Sequence, residues 1–169
     1  MTKEELAYIA GFIDGDGCIM LQLVYRHDYM LGYQIRASVV FYQKTKHKRF
    51  LFWLKKKLKF GYIRDRNDGI SEYTIVGIHR VKSVVSLLLP YLRLKRKQGE
   101  LTLHVISKMP ETGRKMTPHL LLELSYEVDK FAKLNYSKRR TNTSKKVEEF
   151  LKSEGLLDPV ETDPKGEVR

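Results

Sequence analysis

The apolar positions change period along the chain. Leu6, Ile9, Ala10 and Ile13 recur at helical spacing, while Ala7, Gly11 and Gly15 fall every fourth residue on another side and form a ridge with almost no side chain. This predicts a first helix over 3–14, with Thr2 as N-cap and Glu4 and Glu5 in the first turn, where negative charge suits the helix dipole. From 18 to 26 the period falls to two, with Ile19, Leu21 and Leu23 alternating against Met20, Gln22, Val24 and Arg26. A turn over 26–32 follows. The alternation then resumes over 33–43, with Ile35, Ala37, Val39 and Phe41 facing one way and Gln34, Arg36, Ser38, Val40 and Tyr42 the other.

Helical spacing returns over 45–60, with Phe50, Leu51, Leu54 and Leu58 inward and Gly61 as the stop. Two strands, 62–66 and 71–78, are joined by the turn-forming Asn67-Asp68-Gly69. Helices are then predicted over 79–89, 95–109, 120–134 and 147–156, with a basic, hydroxyl-rich loop over 137–146. The order is an α+β domain with helices on one face of an antiparallel sheet, a single domain over 1–156 followed by a loose tail over 157–169. The other sheet face would carry Gln22, Arg26, Gln34, Arg36, Ser38, Arg64, Arg66, Glu72 and Thr74, donors and acceptors of the kinds that read base edges.

Composition sharpens this picture. Lys and Arg number 32 against 20 Asp and Glu, giving +12 and a pI near 9.7, the charge balance of a polyanion binder. No apolar run approaches the roughly 20 residues of a spanning helix, and no signal peptide precedes the first helix, so neither membrane insertion nor secretion is expected. The lone Cys18 excludes an intrachain disulfide and a Cys-based zinc site.

Asp14 and Asp16 fall where Gly15 and Gly17 are expected to stop the first helix. Their carboxylates would then stand beside carbonyls without intrahelical partners, a cation site in outline. A calcium loop is excluded, because Cys18, Ile19 and Tyr25 occupy the places of its fifth, sixth and twelfth residues. No phosphate-cradling GxxxxGK occurs, and the histidines at 27, 47, 79, 104 and 119 lack metal-ligand spacing.

The segment IAGFIDGDG from Ile9 to Gly17 resembles the LAGLIDADG motif of homing endonucleases. GYIRDR from Gly61, YLRLKRKQ from Tyr91 and LNYSK from Leu134 are similar to segments of that family's single-motif, homodimeric branch, and the likeness runs from Leu6 to about Lys152. It implies an αββαββα fold whose sheet forms a DNA-binding saddle, with extra C-terminal helices. It also implies a staggered double-strand cut in a long, imperfectly palindromic DNA, by Mg²⁺-dependent hydrolysis at a homodimer interface, with no membrane and no small-molecule substrate.

By the same resemblance Asp16 is the metal ligand, helped by the Gly15 carbonyl, while Asp14 caps and orients the helix end. Gln43 and Lys95 match the polar active-site pair. Four residues beyond the glutamine, where relatives carry a basic residue, usually arginine, this chain has His47. Ala7, Gly11 and Gly15 become the dimer interface, and Ser137, Lys138, Arg139 and Arg140 join the DNA contacts. Relatives are commonly encoded in introns of organelle genomes, which implies a chloroplast or mitochondrial setting.

The geometry suits this reading. Helices meeting through small residues approach to about 8 Å, and scissile phosphates face each other across a minor groove about 6 Å wide. A splicing maturase or a non-cleaving regulator on the same fold would keep the ridge and the basic face without needing Asp16. A purely structural basic protein would not need the ridge.

Overall fold

In the computed structural model of the chain, residues 1–111, 115–135 and 140–157 are described. Ser137, Lys138, Arg139 and the expected tail beyond Leu157 lie outside the described residues. The first helix, α1 (Lys3–Asp16), opens with a capping box: the Glu5 amide donates to the Thr2 hydroxyl and the Thr2 amide donates to the Glu5 carboxylate. It buries Leu6, Ile9, Ala10 and Ile13, which are the predicted inward positions.

The helix does not stop at Asp14. Gly15 and Asp16 are its last residues, and the chain passes at Gly17 straight into β1 (Gly17–Tyr25) with no loop between. Gly17 is extended, so it is not required for a left-handed turn. It is required for clearance: a Cβ there would lie 2.4 Å from Cγ1 and 2.7 Å from Cα of Ile13.

β1 pairs antiparallel with β2 (Tyr33–Lys44) in the register Gly17 to Phe41 and Tyr25 to Tyr33. β2 pairs with β4 (Ile70–Val76), which pairs with β3 (Tyr62–Asp65), giving the order β1-β2-β4-β3. The predicted helix over 45–60 divides into a 3₁₀ turn at Thr45–His47 and α2 (Arg49–Leu58), which ends in a left-handed Lys59 rather than at Gly61. Gly61 serves a different purpose, letting the chain pass β4 where a Cβ would meet the Thr74 carbonyl oxygen at 2.3 Å.

α3 (Ile78–Leu88), α4 (Arg96–Lys108), α5 (Pro118–Asp129), the short α6 (Phe131–Leu134) and α7 (Ser144–Ser153) follow. Thr117 caps α5, accepting from the Leu120 amide, with Pro118 at its first position. The expected helix over 120–134 is thus two, and the last helix starts three residues before its predicted position. Helices α1, α3, α4 and α5 pack against the sheet, and one core joins them, with Ile9, Ile13, Ile19, Leu21, Phe41, Tyr73, Ile75, Leu121 and Phe131 fully enclosed.

Gly17→Ala should cost about 2 kcal/mol, since a buried backbone atom, not the end of a flexible side chain, must give way. The urea midpoint should fall with an unchanged slope, and an unaltered midpoint would show that the helix-to-strand junction yields freely.

Candidate nucleic-acid interface and active site

The β-ladder fixes which side chains share the face away from the helices. Its rows read Val24 and Gln34; Gln22 and Arg36; Met20, Ser38 and Val76; Cys18, Val40, Thr74 and Tyr62; then Tyr42, Glu72 and Arg64. Every residue read from alternation as a base-contacting candidate in the strands falls on this one face.

Access differs along it. Ser38 is 3% and Thr74 6% exposed, so these two form the floor between larger neighbours instead of an open reading surface. Glu72, also buried, accepts an ion pair from Arg64 at 2.7 Å. Arg66 is held by Asp68 at 2.7 Å and Arg26 by Asp28 at 2.5 Å. Arg26 and Arg66 fall just beyond the ends of β1 and β3, and of the four candidate arginines only Arg36 has no carboxylate partner among the described residues. The face is therefore far less positive than the chain as a whole. Among the described residues the side chains of Gln22, Gln34 and Arg36 have no partner, and Tyr42, which the alternation places on this face, completes the row of Glu72 and Arg64.

Arg140 does not join that face. Its Nη1 donates to the Val128 carbonyl at 2.8 Å and meets Asp129 at 3.3 Å, and its Nη2 donates to the Leu21 carbonyl at 3.1 Å. Asn142 donates to the Leu23 carbonyl at 2.9 Å. β1 is an edge strand, and these two side chains occupy its outward carbonyls. Arg140, expected among the DNA contacts, is instead spent on closing a sheet edge.

At the C-terminal end of α1 the two acidic residues differ sharply. Asp14 is 8% exposed, and its carboxylate accepts from three successive backbone amides: Arg93 at 2.7 Å, Leu94 at 3.1 Å and Lys95 at 2.9 Å. Contrary to the expectation that it caps the end of its own helix, it caps the lead-in to α4, where a negative charge also complements that helix's dipole. The Lys95 ammonium returns to donate to the Asp14 carbonyl. Two bonds, both donated by Lys95 and accepted by Asp14, thus hold Lys95 at the helix end that carries Asp16.

Asp16 is exposed. Next along the strand, burial pushes the Cys18 thiol pKa up while the Lys95 charge pulls it down, which puts the ammonium close to the first outward position of β1. Gln43 lies at the same end of the sheet, its side-chain oxygen accepting from the Lys44 amide at 2.8 Å. His47 stays exposed on the 3₁₀ turn, whose Thr45 amide donates to Gly69 and whose hydroxyl accepts from Ser71.

The ridge is open. Ala7, Gly11 and Gly15 are all exposed, and a Cβ at Gly11 or Gly15 would have no neighbour within 4 Å. Within one chain these glycines only weaken the helix, by about 1 kcal/mol each against alanine.

The family model described as LAGLIDADG endonuclease matches residues 9–104, a span that contains α1 from Ile9 onward, the whole sheet and Lys95. The chain belongs to the LAGLIDADG endonuclease family. The chain is 42% identical over 151 residues to DNA endonuclease I-CvuI of Chlorella vulgaris, covering 89% of this chain and 92% of that protein. It is 38% identical over 152 residues to DNA endonuclease I-CreI of Chlamydomonas reinhardtii, covering 90% and 91%. The crystal structure of I-CvuI with its target in the presence of Ca superposes with a TM-score of 0.86 over 92% of this chain and 97% of that one, at 41% identity. An archaeal intron-encoded endonuclease, I-Vdi141I, bound to DNA gives 0.78 at 16% identity, a likeness of fold alone. The LAGLIDADG helix is α1, and its two acidic positions are Asp14 and Asp16.

The partition of roles between them is testable by stability. Asp14→Asn should cost about 1–3 kcal/mol, because an amide nitrogen replaces an acceptor facing buried N–H groups, whereas Asp16→Asn should leave the unfolding midpoint unchanged. Equal effects of the two substitutions would refute the difference in role.

Proposed function

We propose that this DNA endonuclease acts as a homodimer joined along Ala7, Gly11 and Gly15 of α1, cutting both strands of a long, imperfectly palindromic target. The observation that carries the proposal is the pairing of an open glycine ridge with an exposed Asp16 at its end, beside an anchored Lys95. Two copies meeting ridge to ridge bring two Asp16 carboxylates together, one for each strand.

The donor set favours a small, hydrated cation. No group of three His, Cys, Asp or Glu able to hold a metal occurs among the described residues, so each protomer contributes Asp16 and the adjoining helix-end carbonyl of Gly15. Mg²⁺ suits this, since it keeps waters and accepts phosphate oxygens where a caged calcium site needs more protein ligands. When bound, such a cation supplies a more acidic water and offsets charge on the phosphate.

The chain's own groups do the rest. Lys95 presents its ammonium to the scissile phosphate, Gln43 orders the attacking water, and His47 stands where a cation would help hold the phosphate. Water adds to phosphorus as the bond to the 3′ oxygen breaks. Gln22, Gln34, Arg36, Arg64 and Arg66 read base edges, the last two after exchanging their carboxylates for guanine acceptors. β1 spans about 30 Å at about 3.3 Å per residue, which is on the order of nine base pairs per protomer. Algal relatives support an intron-encoded origin in an organelle.

Asp16→Asn should retain target affinity within about threefold and abolish cutting in Mg²⁺, and a variant that cuts at the wild-type rate would remove Asp16 from the site. Gly11→Leu should yield a folded monomer of undiminished stability, because nothing in its own chain touches that position. Analytical ultracentrifugation decides: a persistent dimer would put the interface elsewhere.

A further inference from the structure

The positive charge that the reading face lacks is concentrated on α2. From residue 29 to residue 64 the sequence contains no Asp or Glu. Lys57 is neutralised by Glu5 of α1 and lies over the Trp53 ring, and Lys48 is neutralised by Asp65. Lys46, Arg49, Lys55, Lys56 and Lys59 have no ion-pair partner among the described residues, and all five are exposed.

The helix separates two exposed sides. Phe50, Trp53 and Lys57 turn towards α1, where Phe50 and Trp53 meet Tyr8. Phe52, Lys55, Lys56 and Lys59 lie on the side turned away from α1, so a dimer joined along the α1 ridge leaves them uncovered. Cations in the last turn also suit the helix dipole, which accounts for some of the lysines. It does not account for Phe52, a large aromatic ring 54% exposed among them, or for Phe60 just beyond the helix end.

We propose that this side of α2 is a second nucleic-acid site, on the helix side of the sheet, that takes a single strand: phosphates on Lys55, Lys56 and Lys59 and a base stacked on Phe52. A ring set among unpaired cations is the combination that holds a single strand without reading its sequence. A duplex keeps its base faces stacked inside and offers this ring nothing. An anionic membrane would use the same charges, but the stripe has only Phe52 and Phe60 as apolar groups, too little to anchor in lipid.

The test uses the full-length protein, alone and saturated with uncleaved target duplex in Ca²⁺. The probes are fluorescent 20-nucleotide oligouridine RNA and oligothymidine DNA, and binding is read by anisotropy. The site requires that the probe binds the duplex-saturated protein about as well as the free protein. Phe52→Ala should weaken it about tenfold, and Lys55→Gln/Lys56→Gln/Lys59→Gln should lower the salt slope by about 2. Cutting of the target should stay within twofold for both variants. Tighter RNA binding assigns the site to RNA, and equal or tighter DNA binding assigns it to single-stranded DNA. Displacement of the probe by duplex, wild-type binding by both variants, or capture of anionic lipid vesicles with no probe bound would each overturn the proposal. Wild-type protein that binds the probe but does not cut the target in Mg²⁺ would instead count against the endonuclease mechanism and leave the α2 site standing.

Discussion

A single buried carboxylate holds the working end of this molecule together. Asp14 joins two segments about eighty residues apart in sequence by accepting three consecutive amides with both of its oxygens. Charged acceptors make the stronger hydrogen bonds, and in a site closed to water the loss of any one leaves a donor without compensation. The same contact fixes the backbone from which the Lys95 side chain leaves, and that side chain closes back on the carbonyl of Asp14 itself. The acidic pair of the motif is therefore a division of labour. One carboxylate is committed to the fold, and the other is exposed, which leaves it available for the metal-binding role proposed for it.

Charge is partitioned in a related way. A face that must discriminate bases gains from donors whose alternatives are satisfied, since an arginine already paired to a carboxylate binds only where the exchange is favourable. Arg26, Arg64 and Arg66 are in that condition, and Arg36 is not. General attraction to polyanions then falls to residues outside the sheet, which is why the net charge of the chain is a poor guide to the charge of its reading surface.

Much of this architecture is legible in the sequence because it rests on periodicity. The switch from period 3.6 to period 2 at Gly17, the hairpin over Asn67-Asp68-Gly69 and the parity of Gln22, Gln34, Arg36, Arg64 and Glu72 all follow from local spacing. The open ridge of Ala7, Gly11 and Gly15 follows from spacing too, whereas the role proposed for Asp16 rests on the family resemblance. What spacing cannot supply are relations between distant segments: the amides that Asp14 serves, the sheet edge that occupies Arg140, and the depth at which Ser38 and Thr74 lie. Burial of a polar side chain depends on its neighbours across strands, and a single chain pattern carries no record of them. Two of the glycines follow the same rule, since Gly17 and Gly61 answer to close approach of other atoms and not to a helix stop.

The direct passage of α1 into β1 has a mechanical meaning. With no loop to absorb rotation, the helix and the strand form one lever, whose pivot in the proposed dimer is the ridge. For an arm of about 30 Å, a tilt of about 5° moves the far end by about 2.6 Å, close to the rise of one base pair at about 3.4 Å. Alignment at the centre of the assembly therefore sets accuracy at its periphery. A subtle loosening between two glycines would be felt first as blurred discrimination at the outermost positions of the target, well before the protomers part.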